Sequence, residues 1–156
     1  MATTWGTNIH WTSETEVGEA MMLSVSAFKL ARMDLVWTTV EAVCGQYDFS
    51  RYDTLLSQMQ THRIRPYWIL DYANPCYPGT QPNTCDTDAC IQGYRKFAAA
   101  VAHHFHGKNI IFELVNEPNG MGHDNATTIV RLCQAAYPSF AALGEVWVGP
   151  TTSGID

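Results

Sequence analysis

Asn116, Glu117 and Pro118 close an otherwise apolar run that begins at Asn109 and is broken only by Glu113. A run of this length bounded by turn residues reads as a buried strand, and proline ends it because it brings no N–H to the ladder. Glu117 is therefore expected at the carboxyl end of a strand. In parallel α/β sheets that edge is where loops converge and catalytic groups collect. A carboxylate there, beside an amide able to bind a hydroxyl, suits general acid/base chemistry. The plainer alternative is that Asn116-Glu117-Pro118 only closes the strand.

The elements that would carry this rim follow from periodicity. Trp5 to Ile9, Leu30 to Val36, Arg65 to Leu70, the run ending at Glu117, and Val146 to Val148 read as strands. Between them lie four helical patterns. The first starts at a Ser13/Glu16 capping box and buries Val17, Ala20, Met21, Ser24, Ala27 and Phe28. The second starts at Ser50 with Asp53 and buries Tyr52, Leu55, Leu56 and Met59. The third carries Tyr94, Phe97, Ala98, Val101, Ala102 and Phe105 and stops at Gly107, and the fourth carries Ile129, Leu132, Cys133, Ala136 and Phe140, with Pro138 expected to kink or split it. Strands alternating with helices predict a parallel α/β sheet of right-handed units. No glycine-rich phosphate turn follows the first strand, which favours a TIM (β/α)8 barrel, here a partial one of five strands and four helices, over a doubly wound sheet.

Composition narrows the partner. With 46% hydrophobic residues and 15% charged among 156, the chain buries a substantial core. A formal charge of −6 with nine Lys and Arg and no basic run argues against nucleic acid or an anionic membrane as partner. No stretch nears the roughly 18 apolar residues of a membrane span, and the first twenty residues lack a signal-peptide pattern. Of five cysteines, Cys76, Cys85 and Cys90 crowd one loop, so a staple between two of them is expected, while Cys44 and Cys133 read as thiols. Without a C-x-x-C pair no metal is expected, nor any cofactor. That loop and the glycosylation pattern at Asn125 lean toward an extracellular or secretory setting.

Each strand end delivers polar or aromatic residues: His10 and Trp11, Trp37, Asp71 to Asn74, Asn116 and Glu117, Thr151 and Thr152. Aromatic faces take the C–H side of a sugar while amides and acids take its hydroxyls. Singly, Trp11 and Trp37 fit core packing and His10 a structural hydrogen bond. By strand alternation Arg32, Asp34 and Val36 share one face, as do Ile111, Glu113, Val115 and Glu117. Arg32 then either pairs with Glu113 or Asp71 as a structural ion pair or serves the reaction site.

The segments Gly6 to Trp11, Arg32 to Trp37, Tyr47 to Asp53, Ile69 to Pro75 and Phe112 to Asn119 resemble the clan A glycoside hydrolases, most of all family 39-like and cellulase-like enzymes. The resemblance runs along the whole chain and implies that residues 1–156 are the amino-terminal part of a single (β/α)8 catalytic domain that cleaves O-glycosyl bonds, as in a β-linked glycan, with retention. It implies Glu117 as general acid/base, Asn116 as holder of the hydroxyl beside the reacting carbon, and Arg32 near the nucleophile. His10, Trp37, Tyr72 and Asn74 would line the cleft for an oligosaccharide or polysaccharide. Retention needs a second carboxylate about 5 to 5.5 Å away. In the clan that glutamate ends strand seven, so no nucleophile is expected in this chain. A non-catalytic glycan-binding fragment is the alternative reading, and open barrel edges invite self-association.

Overall fold

The computed structural model describes residues 5–9, 28–118 and 125–152. Five strands form one wholly parallel sheet: β1 (Trp5–Asn8), β2 (Phe28–Val36), β3 (Arg65–Asp71), β4 (Ile111–Leu114) and β5 (Val146–Val148). Their spatial order is their chain order, β1-β2-β3-β4-β5. A doubly wound sheet reverses its strand order at a switch point; this sheet does not, so it is the wall of a barrel. Among the described residues the helices are a single turn α1 (Trp37–Val40), then α2 (Ser50–Thr61), α3 (Asp88–His104) and α4 (Ala126–Ala142).

Two faces of the sheet have different chemistry. Ala31, Met33 and Leu35 of β2, Trp68 and Leu70 of β3, and Phe112 and Leu114 of β4 are buried in one apolar core with the inner faces of α2, α3 and α4. Aromatic contacts stitch the layers: Trp68 meets Phe105 at 4.9 Å and Tyr52 at 5.6 Å, and Phe112 meets Phe140 at 4.8 Å. On the opposite face the register sets Arg32 beside Tyr67, Asp34 beside Ile69, and Ile69 in turn beside Glu113. The polar residues of the strands thus share the lumen side.

Several expectations are corrected. Phe28 opens β2 rather than closing a helix; the rest of that first helical pattern, like His10 and Trp11, lies outside the described residues. The cap of α2 comes from Asp48, whose Oδ1 accepts the Ser50 N–H at 2.9 Å, not from Ser50. Pro138 does not split α4, which runs through it; Ala136 and Phe140, fully buried on either side, pack both halves on the same core. The β4 ladder stops at Leu114, and positive φ at Val115 (71°) and Glu117 (36°) ends the alternation that would have set Val115 and Glu117 in line with Glu113.

Candidate active site

Arg32 organises the lumen. Its Nε and Nη2 each donate to one oxygen of the Glu113 carboxylate at 2.8 Å. Nη2 also reaches Asn116 Oδ1 at 2.7 Å and Thr151 Oγ1 at 3.1 Å, and Nη1 reaches Asn8 Oδ1 at 3.3 Å. Three strands, β1, β2 and β4, and the segment after β5 are tied through one guanidinium, whose planar fork of donors suits a bidentate carboxylate. Glu113 is fully buried. That burial pushes its carboxyl upward, but the bonds and charge of Arg32, with the hydroxyls of Thr151 and Tyr67, outweigh it and hold the group below its ordinary value. Of the two partners expected for Arg32, Glu113 is the one found.

The amide of Asn116 is oriented by this pair. Arg32 has only donors, so Asn116 presents Oδ1 to it and turns its NH2 the other way, where Nδ2 donates to the Tyr72 hydroxyl at 3.1 Å. Among the described residues the other N–H of that amide has no acceptor. Tyr72 is 45% exposed and fits a rim role. Asn116, Glu117, Asp71 and Tyr72 line a cavity of about 440 Å³ at the ends of β3 and β4, backed by Leu70, Tyr94 and Leu132.

Beneath the rim, Asp71 is 1% exposed and accepts the Asn116 backbone N–H on Oδ1 at 3.3 Å. Burial, then the charge of Asp34 and a hydrogen bond between the two carboxyl groups, push Asp71 up to about 8.

Two residues expected at the sugar rim are elsewhere. Trp37 is fully buried, its indole stacked between Tyr77 (5.4 Å) and Phe97 (5.3 Å), with Nε1 donating to Glu41 Oε2 at 2.6 Å. A ring enclosed on both faces has none to offer a sugar. Asn74 is 3% exposed; its Nδ2 donates to the Glu41 carbonyl at 3.0 Å and its Oδ1 accepts the Cys76 N–H at 2.9 Å. Both serve a node centred on Glu41, which the sequence reading did not single out. Glu41 Oε1 accepts from the Tyr77 hydroxyl and the Gly45 N–H, each at 2.7 Å. Its signal was the spacing of Trp37 and Glu41, four residues apart and one turn from each other on a helix.

The same node is cross-linked. Cys44 is not a thiol but is bonded to Cys76, joining the segment after α1 to the loop after β3. Cys85 is bonded to Cys90 in the first turn of α3, the staple expected within the crowded loop, and Cys133 is free. The loop between Asn74 and Thr87 is thus held at both ends. Gly93 of α3 lies under it, where an added Cβ would stand 2.5 Å from the Tyr77 ring. Gly93→Ala is therefore expected to destabilise the fold by about 1–3 kcal/mol through overpacking, against the ~1 kcal/mol that alanine gains in helix propensity. An unchanged or raised melting temperature would contradict the packing described.

A parallel barrel wall with a carboxylate, an amide and a phenol on its carboxyl rim is the arrangement of a (β/α)-barrel enzyme. Cellulase (glycosyl hydrolase family 5) matches residues 2–147, and the chain belongs to that family. No curated protein sequence matches it. Among solved structures, a family 39 glycoside hydrolase from the gut symbiont Bacteroides cellulosilyticus WH2 is similar at TM-score 0.78 and 22% identity, over 92% of this chain and 30% of that one. The exo-beta-1,4-mannosidase Op5Man5 from Opitutaceae bacterium strain TAV5 is similar at TM-score 0.74 and 19% identity, over 88% and 30%. XacCel5A, solved in complex with cellopentaose, is similar at TM-score 0.65 and 20% identity, over 88% and 44%. At these identities the likeness is one of fold, and this chain spans less than half the length of each.

Proposed function

We propose that the protein carrying this chain is a retaining glycoside hydrolase acting on a β-linked oligosaccharide or polysaccharide, with Glu117 as its general acid/base. The observation that carries the reading is the locked pair Arg32–Asn116 beside Glu117: an amide whose NH2 group is turned toward the rim by the Arg32–Glu113 ion pair, next to a rim carboxylate. In this reading Glu117 protonates the leaving oxygen and then activates water, while Asn116 holds the hydroxyl adjacent to the reacting carbon. Tyr72 and His10 contact the sugar. The attacking carboxylate comes from outside these residues, because the acids near Arg32 are committed or enclosed: Glu113 to Arg32 and Thr151, and Asp71, 1% exposed, to the Asn116 N–H. Arg32 stands beside that nucleophile. Two disulfides support an extracellular setting. Cello- and manno-oligosaccharides are the substrates to try first. Proton NMR of the product formed earliest should show the β anomer; an initial α anomer would mean inversion and remove the two-step mechanism.

A further inference from the structure

We infer that Asn125 is a modification site, whose Nδ2 takes an N-linked oligosaccharide at the edge of the catalytic face. The site rests on the extracellular setting proposed above and is independent of the glycosidase chemistry.

An N-linked glycan needs an asparagine with serine or threonine two residues on and no proline between. Of the asparagines in the chain, only Asn125, followed by Ala126 and Thr127, meets that pattern. So short a pattern arises by chance, and the geometry of the asparagine must support it. Asn125 is the N-cap of α4, at φ −79° and ψ 161°, extended rather than helical. Its Oδ1 accepts the Thr128 N–H at 2.9 Å, while among the described residues its Nδ2 has no acceptor. The two ends of this amide thus have separate duties. Asn116 and Asn74 differ, because each spends both ends of its amide inside the fold.

In the transfer, Nδ2 bonds to the anomeric carbon of an oligosaccharide carried on a lipid diphosphate. The bond from that carbon to the diphosphate oxygen breaks, the lipid diphosphate leaves with the electron pair, and Nδ2 gives up one proton. Oδ1 is untouched, so the helix keeps its cap. There is also room for the product. Asn125, Ala126 and Thr127 are all exposed, and burial begins only at Thr128 and Ile129. The site faces the rim, since α4 follows the strand that carries Glu117, and Leu132 of the same helix lines the cavity with Glu117. Asn125 lies outside that lining, so a glycan there borders the cleft without filling it. The bonds Cys44–Cys76 and Cys85–Cys90 belong to the oxidising compartments in which secreted chains are also glycosylated.

The test sends the full protein through the secretory pathway of a yeast and reads intact mass and tryptic peptides, on protein from cells and medium together. Wild type should carry a hexose and N-acetylhexosamine increment that peptide N-glycosidase removes, leaving aspartate in place of Asn125. Thr127→Ser should keep the increment. Asn125→Asp, which retains a capping oxygen but has no Nδ2, and Thr127→Val, which retains the Asn125 cap, should both lose it entirely. Wild type recovered without the increment, or an increment that persists in Thr127→Val, overturns the inference. The same peptides report the two disulfides. Disulfides formed on a chain without glycan leave the extracellular reading standing while the site fails; a glycan on a chain with reduced cysteines upholds the site while that reading loses its support. Amide exchange at Thr128 should be equally slow with and without the glycan. Faster exchange in the glycosylated form would overturn the separation of duties in the Asn125 amide.

Discussion

Glu117→Gln is expected to lower kcat/KM toward a glycoside with a poor leaving group by about 10²–10⁴-fold, the range general acid–base groups contribute. Glutamine keeps the shape and the hydrogen bonds of the neutral acid but has no proton to give, so binding should change little and kcat should carry the loss. The deficit should shrink for an aryl glycoside whose leaving group needs no protonation. That dependence separates a proton donor from a residue that merely shapes the rim: a shape defect would cost all substrates alike. Equal losses across leaving groups would remove Glu117 from the acid role.

Arg32→Ala is expected to destabilise the fold by about 3 kcal/mol, the low end for breaking a buried ion pair, because Arg32 is itself 17% exposed. The energy comes chiefly from Glu113, left fully buried with only the N–H and hydroxyl of Thr151 and the Tyr67 hydroxyl as partners. The pH dependence has a definite sign. Glu113 lies below its ordinary value of 4.5 in the folded protein, so its contribution is present above that value and is lost as pH falls through the folded one. Wild type should therefore lose stability on acidification in a way that Glu113→Gln does not, and Arg32→Ala should be steadied rather than weakened by mild acid. A melting temperature within a degree or two of wild type at neutral pH would mean that water replaces the guanidinium at no cost.

Much of this was legible in periodicity. Alternation on β2 placed Arg32 and Asp34 on one face, and apolar spacing found α2, α3 and α4 within a few residues. What failed turned on contacts that linear patterns do not encode. Trp37 and Tyr72 both follow a strand, yet one is enclosed by Tyr77 and Phe97 while the other stands at the rim. The difference lies in Glu41, whose buried carboxylate draws the indole N–H inward. Cys44 looked isolated because its partner is 32 residues away, across two strand-end segments that only the barrel wall brings together. That the charge of Asp34 is felt by Asp71 depends on the register of β2 and β3, in which Val36 lies beside Asp71. Parallel pairing leaves no hairpin turn from which to read such a register.

The role of Glu117 is tested most directly in Glu117→Ala, given an activated aryl β-glycoside and azide. A glycosyl-enzyme intermediate formed without acid assistance would be attacked by azide on the face the carboxylate had occupied. The account predicts β-glycosyl azide and a rise in turnover with azide concentration. An α-glycosyl azide would make Glu117 the nucleophile instead, and no azide product with no rate recovery would contradict its assignment as acid/base.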